Sequence, residues 1–208
     1  QLLMQKNDMD QAAHIITDLY STHPENDEIQ FSYAILQNVL NEKELARKVF
    51  RQLVTNNEEH TEAWLKLAEL EYEIGDVKSA ISILEKQKMN SKINTVATYQ
   101  LAELYFNEKD FENSLSLISN YLQNNRLDTY AIEIRVKNLI ALKQFEYAKI
   151  QLSQLFGFWL GDANKLFRLS RLQLRIKDYE GAEKSLAVAL ELSPKSLSVF
   201  IETIKLQV

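Results

Sequence analysis

Glu62-Ala63-Trp64-Leu65-Lys66-Leu67-Ala68-Glu69-Leu70-Glu71-Tyr72-Glu73-Ile74-Gly75-Asp76-Val77-Lys78-Ser79-Ala80-Ile81 is the stretch on which the fold is decided. Trp64, Leu67, Ala68 and Glu71 recur three and four residues apart, so they share one face of a helix running from about Thr61 to Ile74. Gly75-Asp76 breaks that run: glycine closes a helix, and an acceptor side chain before a new periodic run opens one. A second helix follows from about Val77 to Lys88, with Ala80, Ile81 and Leu84 on its inner face. The unit is therefore helix–turn–helix.

Working outward, the same unit recurs every 34 residues without insertion or deletion, in rows beginning at Asp27, Thr61, Thr95, Thr129, Ala163 and Leu197. One column holds Ala12, Ala46, Ala80, Ser114, Ala148 and Ala182, and another Ala34, Ala68, Ala102, Val136 and Ser170. Small side chains in facing columns let paired helices approach closely. A column of large apolar residues holds Ile16, Phe50, Leu84, Ile118, Leu152 and Leu186. Asp8, Glu42, Asp76, Asp110, Gln144 and Asp178 stand where each second helix starts, as capping acceptors. Pro24 and Pro194 share the column where the chain turns between rows.

Glu62-Ala63-Trp64, Leu67-Ala68, Gly75-Asp76-Val77, Ala80-Ile81 and the row-five ending Ala189-Leu190-Glu191-Leu192-Ser193-Pro194 resemble the tetratricopeptide repeat. The resemblance extends over the whole chain as one array: residues 1–26 as a second half-repeat, full repeats at 27–60, 61–94, 95–128, 129–162 and 163–196, and 197–208 as the start of another. It implies an all-α, right-handed α-solenoid of eleven to twelve helices, in which the first helix of each pair lines a concave groove that receives partners. Gln30 stands where the tryptophan falls in row one. Arg135 stands in a column otherwise held by Tyr33, Leu67, Leu101 and Leu169, so the first helix of row four is expected to be rotated or locally loose.

Composition agrees. Of 208 residues 46% are apolar, with 4 glycines and 2 prolines, which favours helices with short connections over strands and turns. Cysteine is absent, excluding disulfides and thiolate chemistry. The net charge of −5 argues against nucleic acid. The charge is uneven: residues 1–104 carry −7 and residues 105–208 carry +2. No apolar run approaches a membrane span, and no targeting segment is visible, so the compartment stays open. The chain reads as a fragment of a longer bacterial repeat protein.

The sequence offers little for catalysis. His14, His23 and His60 lack ligand spacing, the glycines are isolated, and the many glutamates fall on helix surfaces. No enzyme activity, cofactor or metal is expected. The first helices offer a partner surface instead. The stripe opposite their packing face carries the aromatics Phe31, Tyr72, Tyr99, Phe106, Tyr130 and Phe167, and it turns from Glu62, Glu69, Glu73 and Glu103 to Lys137, Arg168, Arg171 and Arg175. Aromatic and arginine side chains are the usual anchors of protein interfaces. Some members of the family clamp a C-terminal carboxylate with lysines and asparagines, but the matching columns here begin with Phe31 and Ile35 and then hold Glu133, so that clamp is not expected. Phe156-Gly157-Phe158-Trp159-Leu160 is an apolar row ending where other rows are polar, and Trp159 is a second candidate contact unless it folds back on the repeat junction.

The expected function is a non-catalytic scaffold binding an extended or helical segment of another protein, its acidic part at the basic end of the groove. The alternative is a structural spacer in a larger multi-repeat protein, of the kind found in bacterial surface-polymer or protein-sorting export systems.

Overall fold

The computed structural model describes residues 2–89 and 94–207, with side chains over 10–89 and 94–205. Twelve helices, and no strand, occur among the described residues: α1 Leu2–Thr22, α2 Asp27–Val39, α3 Lys43–Asn56, α4 Thr61–Glu73, α5 Val77–Lys88, α6 Asn94–Asn107, α7 Phe111–Asn124, α8 Thr129–Ala141, α9 Phe145–Phe158, α10 Ala163–Arg175, α11 Tyr179–Leu192 and α12 Leu197–Gln207. The architecture is an all-α solenoid of helix pairs. It divides into two compact units, Gln1–Leu101 and Ala102–Val208, the division falling within α6.

Every turn inside a helix pair is built alike. Asn41, Gly75, Lys109, Lys143 and Lys177 all take a left-handed backbone, with φ of 63°, 89°, 63°, 59° and 62°. Around each of them two hydrogen bonds close the preceding helix, as in Lys109 N–H to Phe106 O at 3.0 Å and Asp110 N–H to Tyr105 O at 2.8 Å. This 6→1 and 5→2 pattern satisfies carbonyls that the helix end leaves open. Only Gly75 signals it in the sequence, because the other four rows place a side chain where glycine would be easier.

The residue after each left-handed position starts the second helix, but its side chain caps only in part. Asp76 accepts from Ser79 N–H and Asp110 from Asn113 N–H. Glu42, Gln144 and Asp178 make no such bond. Asp178 is drawn instead to Lys149 on α9, 3.0 Å away. Asp8 falls inside α1, which runs unbroken from Leu2, so no second helix starts there. The stretch Gln5-Lys6-Asn7-Asp8-Met9-Asp10 has no glycine or proline to stop it.

In the first unit, Phe50, Leu53, Leu67 and Leu70 pack around Ala34, Ala46 and Ala63. Tyr20 stacks on Tyr33 at 4.0 Å. Phe31 is a packing residue, its ring 5.9 Å from Phe50 and 5.1 Å from His60. Glu71 on α4 is fully buried and held by two arginines of α3: Arg47 Nη2 at 2.7 Å from Oε2, and Arg51 Nη2 at 2.7 Å from Oε1. Arg47 also reaches Asp76 at 3.2 Å, which ties the α4–α5 turn to α3.

In the second unit, Ile118, Ile132, Leu152, Leu155, Leu166, Leu169 and Leu186 form the core, with Ser114, Ala148 and Ala182 at the close helix approaches. α8 is regular along its length despite Arg135, whose guanidinium leaves the core and bonds to Gln151. Asn138 is buried, donating to Ser114 Oγ at 2.8 Å, and Ser114 in turn donates to Ala102 O at 2.7 Å.

Candidate partner-binding surface

The basic residues singled out in the sequence meet on α8 and α10 of the second unit. Asp162 opens α10, its carboxylate accepting from Lys165 N–H; that bond is the main cause holding its carboxyl below the usual range. From this start Arg168, Arg171 and Arg175 follow at three- and four-residue steps on one helix face, and all three are exposed.

Glu133 on α8 organises part of this cluster. It is buried, with Lys137 Nζ 3.2 Å from one carboxylate oxygen and Arg168 Nη2 3.3 Å from the other. Two of the four cations thus share this one carboxylate. Arg171 and Arg175 make no ion pair or hydrogen bond among the described residues. Arg175 borders two adjacent depressions and Arg171 the smaller of them. One, of about 250 Å³, lies among Glu133, Arg168, Arg171, Leu172 and Arg175. The other, of about 440 Å³, lies among Glu103, Phe106, Asn107, Ile134, Lys137 and Arg175.

The aromatic residues are placed unevenly. Tyr130 is exposed and donates its hydroxyl to Glu103 at 2.6 Å. That hydrogen bond, followed by partial burial, pushes its phenol up to about 12. Phe106 lines the larger depression and lies 5.2 Å from Phe111, and Phe167 is half-buried beside Arg168. Tyr72 and Tyr99 belong to the first unit, on α4 and α6, and both are half-buried. The cationic cluster is therefore built by the second unit alone.

Two expectations change. The stripe on α8 is not an open wall: Glu133, Ile134 and Ile140 are buried, while Tyr130 is exposed and Lys137 half-buried. Trp159 is not displayed to a partner. It is only 3% exposed and ends α9, its N–H bonding back to Leu155 O at 3.0 Å while its carbonyl accepts from Asp162 N–H at 2.9 Å. This turn carries the indole inward, where the guanidinium of Arg168 lies 5.7 Å from its ring. Phe158 and Leu160 keep 44% and 48% of their surface exposed. In the matching turns, His23, Asn57, Asn125 and Ser193 occupy the place of Trp159.

No three His, Asp or Glu side chains group for a metal among the described residues, and no described helix is long and apolar enough to cross a membrane. His60 caps α4, its Nδ1 accepting from Ala63 N–H at 3.3 Å.

Comparison with known proteins bears on the fold. A family profile described as tetratricopeptide repeat matches residues 1–57 and 39–87. A search of curated proteins returns no match. Among solved structures, a tetratricopeptide repeat protein from Parabacteroides merdae is similar with a TM-score of 0.66 at 20% identity, over 98% of this chain and 79% of its own. PilF of Pseudomonas aeruginosa is similar at 0.65 and 15%, over 97% and 92%. YrrB, described as a TPR protein with an unusual peptide-binding site, is similar at 0.57 and 17%, over 92% and 99%. At such identities the likeness is one of fold.

Proposed function

Since this chain is a tetratricopeptide-repeat protein, a fold that generally serves as a non-catalytic scaffold for protein interaction, we propose that its second unit binds an acidic segment of a partner protein across α8 and α10. The observation that carries the reading is the pair Arg171 and Arg175. They are exposed on the face of α10 that borders both depressions, and they have no carboxylate of their own among the described residues, whereas Glu133 occupies Lys137 and Arg168. Guanidinium groups grip carboxylates through two parallel hydrogen bonds, and like charges held together favour an anionic guest. Phe106, Tyr130 and Phe167 supply apolar contact beside them, with Tyr72 and Tyr99 as separate contacts on the first unit. Trp159 acts from beneath by fixing Arg168. The peptide-binding site ascribed to YrrB makes an extended polypeptide a reasonable guest for this fold.

The test is to recover partners by crosslinking in the native source and then measure affinity with purified components. Arg171→Ala with Arg175→Ala should weaken binding by about tenfold or more, and affinity should fall with salt. Unchanged affinity in that double variant would sink the reading.

A further inference from the structure

Arg135 makes a second site on the opposite side of α8. Its column is held in the other rows by Tyr33, Leu67, Leu101 and Leu169, of which the three leucines are buried in the fold. Arginine instead leaves the core and passes between α7 and α9, where one donor finds the neutral amide oxygen of Gln151. Its Nε–H is buried and has no acceptor among the described residues. An unsatisfied buried donor is costly, and more so on a charged group, so this position favours an acceptor supplied from outside the chain.

The surroundings fit an anion. Arg135 and Ser119 border two connected depressions of about 300 and 600 Å³. The larger adds Arg126, Gln123, Asn124 and Gln154, and the smaller adds Leu115, Leu139, Tyr147 and Ile150. Among the described residues, no aspartate or glutamate lines either of them. Tyr147 and Ile150 are 66% and 62% exposed, an apolar rim beside a cation that lacks a counter-charge. Burial alone lowers the Arg135 pKa from its usual value, with no carboxylate near enough to oppose it.

We propose that the cleft between α7 and α9 is a docking site for an acidic segment of a partner protein, Arg135 receiving a carboxylate while Tyr147 and Ile150 hold an adjacent apolar side chain. This stands independently of the α8–α10 surface. A peptide is favoured over a free anion because the cationic floor and the apolar rim are contiguous, and only a ligand carrying both characters uses both.

The test uses the whole chain and two capped tripeptides, acetyl-Leu-Asp-Phe-amide and its Asn analogue, followed by NMR at the Arg135 Nε–H and the Tyr147 ring. The Asp peptide should shift both signals saturably, and the Asn analogue should bind about tenfold more weakly, as expected for losing a charge-assisted hydrogen bond. Arg135→Leu should abolish the Asp preference while leaving the melting temperature equal or higher, because the position then matches the other rows. If the leucine variant fails to fold, Tyr147→Ala, at an exposed position, should still weaken the Asp peptide several-fold. Arg171→Ala with Arg175→Ala should leave these shifts intact. Equal binding of the two peptides, Asp preference persisting in Arg135→Leu, Tyr147→Ala binding as the parent does, loss of the shifts in the Arg171/Arg175 double variant, or an equal response to inorganic phosphate would each overturn the proposal.

Discussion

Lys109 holds the same left-handed backbone as Gly75, one repeat earlier, with φ of 63° against 89°. Both stand at the same point of the turn inside a helix pair, and both are fixed by the same two hydrogen bonds. The geometry is imposed by the closing bonds, and lysine accommodates it at a cost that glycine avoids.

Lys109→Gly and Lys177→Gly should therefore each stabilise the fold by about 0.5–1 kcal/mol, the relief of strain outweighing the entropy that glycine adds to the unfolded chain. Gly75→Ala should destabilise by about 1 kcal/mol. Urea midpoints with unchanged slopes would measure both effects. A loss of stability in both lysine variants would mean that these turns are not strained.

Ala80→Leu should cost about 1–3 kcal/mol by overpacking the approach of α4 and α5, where Ala80 has no exposed surface. Ala12 belongs to the same sequence column but is exposed on α1, so Ala12→Leu should stay within about 0.5 kcal/mol of the parent. Thermal melts of the pair separate the effect of the column from the effect of packing.

Arg47→Ala should be more damaging than Arg51→Ala. Both arginines hold the buried carboxylate of Glu71, but Arg47 also reaches Asp76 and is the less exposed, at 22% against 52%. Losses of about 2–3 kcal/mol and about 1 kcal/mol respectively are expected, because a surviving partner moderates the penalty of an unpaired buried charge. A double-mutant cycle with Glu71→Gln should show coupling for both arginines.

The Tyr130 phenol should titrate near 12, and Glu103→Gln should return it toward the ordinary tyrosine value of about 10. The folded-state value is the raised one, so the stability this contact contributes is complete below about pH 10 and is lost as pH rises toward 12. The chemical shift of the Tyr130 ring carbon bearing the hydroxyl reads the midpoint directly. A value unchanged by Glu103→Gln would rule out the hydrogen bond as its cause.

The fold was legible because its signals are local. A column of alanines and a column of large apolar residues recur every 34 residues and act within one helix pair, so each row repeats the same evidence. The observed α4 and α5 end within a residue of the limits read from Gly75-Asp76. Most of the left-handed column was invisible, since asparagine and lysine there carry no strong signal and the turn's own hydrogen bonds select the conformation. The arginine face of α10 was also legible, being a matter of spacing on one helix.

What the tertiary structure decided is which of those residues meet. Glu133 reads as one more groove position, yet its burial between Lys137 and Arg168 leaves Arg171 and Arg175 as the cations of that cluster without a carboxylate among the described residues. Trp159 reads either as an exposed contact or as folded back on the repeat junction, and the turn after α9 decides for the second by carrying it inward against Arg168. Arg135 reads as a fault in an apolar column, yet α8 stays regular because the long side chain escapes between α7 and α9. Periodicity fixes the face on which a side chain lies; its charge state and exposure depend on partners brought together from other helices, and these follow only once the helices are packed.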